Sequence, residues 1–347
     1  MKKSLTRLLS LFGLFLAFQV LMLTSCEGPE GPAGPQGPVG ADGSAICGDC
    51  HNLTTDLYAK IIQYESSTHR LGGNYERSTA SCAKCHTHEG FMEQLATGTV
   101  AASINNPTPV NCRTCHPIHE SYTQADYALR TVAPFELDIL DTKVTFDMGN
   151  GNICAACHQP RVANPKPEVG GADVTITSFR WGYHYSTQAA MMVGEGGYRI
   201  PGSIDYNTVA AKHYNNLKDG CVDCHMAKAF GSQAGGHTFN VSYEAYGNAT
   251  PNMAACTDCH SGATSFDIMG GQTEIAMLLD SLKSLMTDAG IYGFNGSYIY
   301  PGTYSADDAG CYLNYQFVYA DQSLGVHNTS YARALLSNSI EYLNTKK

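Results

Sequence analysis

Apolar and polar positions follow three different regimes along the chain. Residues 8–23, LLSLFGLFLAFQVLML, are predominantly apolar and follow Lys2, Lys3 and Arg7. A basic start and a short apolar stretch predict an export segment over 1–25, too short for a lasting membrane span. Residues 28–43 have no apolar period; glycine recurs at 28, 31, 34, 37, 40 and 43. From residue 44 onward the pattern is mixed. TTDLYAKIIQYES places Leu57, Ile61 and Tyr64 on one helical face. TEIAMLLDSLKSLMTDAG repeats Ile275, Leu278, Leu279, Leu282, Leu285 and Met286 at helical spacing, with Gly290 as terminator. TSYARALLSNSIEYL follows Asn328, a residue suited to a helix N-cap. Residues 133–148 and 173–178 read as extended, in a small hairpin or loop. The expected fold is mainly α with much irregular chain and a helical C-terminal part.

The cysteines change this picture. Twelve of the 14 fall in C-x-x-C-H. The copies are Cys47, Cys50, His51; Cys82, Cys85, His86; Cys112, Cys115, His116; Cys154, Cys157, His158; Cys221, Cys224, His225; and Cys256, Cys259, His260. At this composition chance supplies about 0.02 copies. Two thiols three positions apart lie on the same side of one helical turn, where they can form thioethers with two haem vinyl groups. The histidine that follows then sits under the iron as proximal ligand. A disulfide framework needs no histidine after every second cysteine, and zinc sites built on C-x-x-C lack that fixed histidine. The motifs therefore predict six covalently bound haem c groups.

Residues 44–347 would carry those six haems on about 50 residues each, too little chain to enclose every haem separately. We expect one compact cytochrome domain over 44–347 whose core is stacked haems. The motif starts are 35, 30, 42, 67 and 35 residues apart, so no constant period suggests a solenoid.

The sequence ahead of that domain points to the bacterial cell envelope. LTSC, residues 23–26, resembles a lipobox, with cleavage before Cys26 and lipid on its thiol; an ordinary secretory peptide is the alternative. Several acyl chains on one residue anchor stably. The outer membrane is the expected site, with its face left open. The glycine triplets after Cys26 follow the collagen pattern. Over 26–43 they read as an extended spacer of roughly 50 Å, with a trimerising triple helix as the alternative. Loss of Lys2, Lys3 and Arg7 leaves 18 basic against 31 acidic residues, a formal −13. That charge argues against nucleic acid and allows basic redox partners or other multihaem cytochromes.

Histidine supply decides what the haems can do. Of 13 histidines six are proximal, leaving His69, His88, His119, His184, His213, His237 and His327 for six distal positions. Two axial histidines close both faces of an iron and leave an electron carrier. His88 and His119 follow His86 and His116 too closely to reach the far face of their own haem. One of them completes the sixth pair, and spacing alone does not choose. Nine methionines remain after residue 25, so one His/Met site stays open, although Met226 is too close to His225 to serve it. Cys311, in AGCYLNY, reads as a buried thiol or an intersubunit disulfide.

HYSTQAAMM (from His184), HYNNLKDGCVDCHM (from His213), GGHTF (His237) and GVHN (His327) resemble the surroundings of distal ligands in multihaem cytochromes c. The last three are also similar to elements of the cytochrome c nitrite reductase and hydroxylamine oxidoreductase superfamily. The resemblance covers most of residues 65–345. It implies distal roles for His69, His184, His213, His237 and His327, and closely stacked haems. The stretch CHPIH resembles close haem pairs in small multihaem cytochromes, which favours His119 as the sixth distal ligand and leaves His88 as the alternative. The C-x-x-C-K motif that marks many nitrite reductases does not occur. The expectation is an electron carrier without a catalytic residue. A haem-based reductase with one open iron, a subunit of an extracellular cytochrome filament and a homo-oligomer remain as alternatives.

Overall fold

A computed structural model describes residues 51, 55–72, 75–139 and 143–347. The predicted export segment, Cys26, the glycine triplets read as a spacer, Cys47 and Cys50 lie outside the described residues. Those described fall in one unit, bounded by Ser44 and Lys347.

The first half is short helices joined by loops. Helix α1 spans Thr55–Glu65. Its predicted face, Leu57, Ile61 and Tyr64, borders a large cavity. Helices α2 (Ala80–His86) and α3 (His88–Thr97) are separated only by Thr87. Thr87 is extended, at φ −136° and ψ 152°. Its hydroxyl accepts from the Gly90 N–H at 2.9 Å and donates to the Ala83 carbonyl at 3.1 Å. Gly90 lets the two helices touch, because a Cβ there would stand 2.4 Å from the Ala83 carbonyl oxygen. Helix α4 is the single turn Cys112–Cys115, with Asn111 and Thr114 in a capping box.

The extended segments pair as short antiparallel ribbons. Strands β1 (Phe135–Asp138) and β2 (Lys143–Phe146) form the expected hairpin. Leu137 and Phe146 on it are fully buried in the side-chain core. After α5 (Asn152–Ala155), β3 (Val174–Ile176) takes a distant partner, β8 (Gly302–Tyr304), which the local pattern could not reveal. Helices α6 (Gln188–Val193), α7 (Lys212–Asn216) and α8 (Cys221–His225) follow. A hairpin of β4 (Ser242–Ala245) and β5 (Asn248–Pro251) turns at Tyr246–Gly247, where both residues have positive φ.

The C-terminal part is helical, as expected. Helix α9 covers Gly271–Asp288 and buries Ile275, Leu279, Leu282 and Met286. Gly290, at φ 70°, lies just beyond its end. The ribbon of β6 (Tyr292–Phe294) and β7 (Tyr298–Ile299) leads to α10 (Ala306–Asp321) and α11 (Thr329–Asn344). Asn328 caps α11 by accepting from the Tyr331 N–H. Helix α10 was not foreseen. It is buried on nearly all faces, so its sequence has no polar stripe to reveal a helical period. These three helices pack on one another and hold much of the side-chain core. Cys311 lies in that core at 0% exposure, as a free thiol. Between residues 55 and 130, by contrast, Ala83 and Phe91 are the buried hydrophobic side chains among the described residues. No helix among the described residues is long and apolar enough to cross a membrane.

Candidate haem centres

The described C-x-x-C-H motifs take the helical-turn geometry their spacing predicts. The histidine N–H donates to the carbonyl of the first cysteine in three of them, His116 at 2.9 Å, His158 at 2.9 Å and His260 at 2.7 Å. None of the described cysteines is in a disulfide. Thiols of different motifs meet. Cys85 Sγ approaches the Ala156 carbonyl at 4.0 Å and Cys157 Sγ the Lys84 carbonyl at 3.8 Å, and the Cys154 thiol lies beside that of Cys221. The second and fifth motifs therefore both lie against the fourth.

The same folding brings histidines together two by two. Ring centres are 6.0 Å apart for His51–His119 and His86–His184, and 6.1 Å for His69–His158. They are 6.2 Å apart for His116–His237 and His213–His260, and 6.3 Å for His225–His327. Each pair joins one motif histidine to one of the candidate distal histidines. Two imidazoles that share one metal ion at about 2 Å per nitrogen, with about 1 Å from nitrogen to ring centre, stand roughly 6 Å apart. The pairs fit that separation. Among the described residues no three His, Cys, Asp or Glu side chains converge as a tetrahedral metal site would need.

Nine of the twelve paired histidines line one cavity of about 2520 Å³. Single small-molecule sites are roughly 300–1,000 Å³, so this space suits several bulky cofactors. His158 shows why such a space matters. Protein surrounds it on all sides, yet its ring is open to the cavity. The His51–His119 pair is exposed and lies off the cavity lining.

Second partners fix several of these rings. His116 Nδ1 donates to the Ala128 carbonyl at 3.0 Å, His213 Nδ1 to Val326 at 2.7 Å and His225 Nδ1 to Phe239 at 2.9 Å. A carbonyl can only accept, so Nδ1 holds the proton and Nε2 keeps a lone pair for a metal. His327 Nδ1 lies 2.6 Å from the Asp321 carboxylate. The backbone of His237 is held by α1, whose Gln63 side chain accepts its N–H at 3.0 Å. Burial pushes His158 and His237 down to about 4 and also lowers His69, His86, His184 and His225. Neutral imidazole is the form that binds a metal. Burial also lowers His327, but the Asp321 carboxylate more than reverses it, and the net shift is upward.

His88 is in none of these pairs. Its Nδ1 lies 2.9 Å from the Thr114 hydroxyl, between the two cysteines of the third motif. The extended Thr87 separates its helix from the one that carries His86. His119 sits on a loop that Asp126 ties together, accepting the His119, Ser121 and Tyr122 N–H groups. Sequence reasoning missed Asp321, Gln63 and Thr114. Each acts through the fold, and none stands beside its histidine in a recognisable motif.

Paired thiols, a histidine pair for each motif and a cavity of this size define a multihaem c-type cytochrome carrying covalently bound haem c. Comparison with known proteins points the same way. Residues 141–287 match the family described as outer membrane cytochrome MtrC/MtrF-like, domains II/IV. The C-type polyheme cytochrome OmcB from two strains of Geobacter sulfurreducens is 24% identical over 242 residues. That match covers 62% of this chain but 27% of OmcB, so the chain spans about a quarter of that relative. The crystal structure of the outer cell wall cytochrome OcwA aligns over 82% of this chain and 50% of its own, with a TM-score of 0.50 and 23% identity. That likeness concerns the fold alone.

Proposed function

We propose that this protein relays electrons at the bacterial cell envelope through six haems, each held between two histidines. The observation that carries this is the set of six histidine pairs, each joining one motif histidine to a different distal partner. The distal ligands are then His69, His119, His184, His213, His237 and His327. A haem ligated in this way cycles by one electron and offers no open position to a substrate. The residues of the chain do the rest. Paired thiols tether, paired imidazoles orient, and the carbonyls of Ala128, Val326 and Phe239 hold rings in the metal-binding tautomer.

Contacts between motifs support a relay. The Cys85–Cys157 and Cys154–Cys221 meetings set the fourth site beside the second and the fifth. Electrons can then pass between neighbouring centres without leaving the protein. We assign residues 1–25 to export, Cys26 to a lipid anchor and residues 28–43 to a spacer. The partners would be other redox proteins of the envelope, in keeping with the outer-membrane description of the matched family. The test is intact mass together with a reductive titration. Six haem units above the lipidated polypeptide, all reduced by dithionite, are expected. Fewer than six in fully matured protein would overturn the assignment.

A further inference from the structure

The Nδ1 partners of four paired histidines are of two kinds. His116, His213 and His225 donate to neutral backbone carbonyls, whereas His327 meets a carboxylate. Asp321 is the last residue of α10, and its side chain has 0% exposure. The Ser323 hydroxyl donates to its second oxygen. Among the described ion pairs Asp321 has His327 as its partner and no lysine or arginine. A helix C-terminus already carries partial negative charge, which makes this a costly place to bury an anion. A positive centre on the other side of the imidazole would compensate it.

We propose that Asp321 lowers the reduction potential of the haem held by His225 and His327 relative to the haems held by His116 and by His213, whose Nδ1 donors meet backbone carbonyls and no carboxylate. The inference rests on the relay reading, since it needs a haem between those two rings. Asp321 is a positioning residue that acts through His327. A carboxylate on Nδ1–H makes the imidazole a stronger donor at Nε2, which favours the more positive oxidised iron. Reduction adds one electron from the chemical reductant to the iron and breaks no bond, and the proton stays on His327 Nδ1. In a stepwise titration this haem is among the last to reduce.

The test is potentiometry of the full holoprotein, with haem number checked by mass. Asp321→Asn keeps a hydrogen-bond acceptor and removes the charge. It should raise one potential and leave the others in place, with six haems retained. The expected rise corresponds to at least a tenfold change in the oxidised-to-reduced ratio, about 59 mV for one electron. Ser323→Ala removes a donor from the carboxylate and should shift the same potential downward, which keeps the test informative if Asp321→Asn fails to mature. Asp321→Glu should restore the low value in part. His327→Ala separates the two claims, because it should convert one haem to high spin. If His327→Ala opens an iron while Asp321→Asn and Ser323→Ala leave every potential unchanged, the tuning role is overturned and the relay reading stands. If His327→Ala opens no iron, the pairing fails and the inference falls with it.

Discussion

Replacing His119 by alanine and, separately, His88 by alanine distinguishes two residues that spacing leaves equivalent. His119 stands 6.0 Å from His51, ring centre to ring centre, whereas His88 meets the Thr114 hydroxyl at 2.9 Å. Loss of the His119 ring should leave its loop in place, because Asp126 holds that loop through backbone N–H groups. On the proposed ligation the effect then falls on one iron, and one of the six proposed haems should become high-spin. Loss of the His88 ring removes one partly buried hydrogen bond, worth about 1 kcal/mol. Thr114 still accepts the Asn111 N–H at 2.9 Å, so little else should move. Electron paramagnetic resonance of the oxidised variants reads the outcome. We expect a high-spin signal for His119→Ala, quenched by added imidazole, and none for His88→Ala. The reverse pattern would refute the pairing.

Three further outcomes follow from named contacts. Gly90→Ala would press a Cβ into the Ala83 backbone and should cost about 1–3 kcal/mol in urea unfolding, whereas unchanged stability would mean that α2 and α3 can separate freely. The Arg333 hydrogen bond holds the Glu274 carboxyl below its ordinary value, so the pair stabilises the fold fully above the unfolded value and loses this as pH falls through the lowered one. Both side chains are partly exposed, so Glu274→Gln should cost about 0.5 kcal/mol at pH 7, and an equal cost at pH 2 would contradict the mechanism. Cys26→Ser should abolish lipidation and release the protein from the membrane fraction; retention after a high-salt wash would rule out the anchor.

What the sequence made legible was the chemistry that repeats within five residues. The C-x-x-C-H motifs could be read directly, and counting histidines bounded the set of candidate distal partners. The pairing could not be read, because it joins positions such as His69 and His158 that only the folded chain brings together. The ends of the apolar pattern were equally uneven. Helix α9 showed its period because one face meets solvent, while α10, buried nearly all round, showed none. Asp321 stayed hidden for a related reason. Nothing in its neighbourhood marks it until α10 ends beside His327 and buries the carboxylate against the ring.

In the proposed relay every iron is closed by two histidines and serves electron transfer. The most direct measurement is spin quantification of the fully oxidised holoprotein by electron paramagnetic resonance, with carbon monoxide binding to the reduced form as the companion reading. Low-spin signals that sum to six haems per chain, no high-spin component and no rapid carbon monoxide adduct are expected. A native high-spin haem with fast turnover of nitrite or hydroxylamine would contradict the relay.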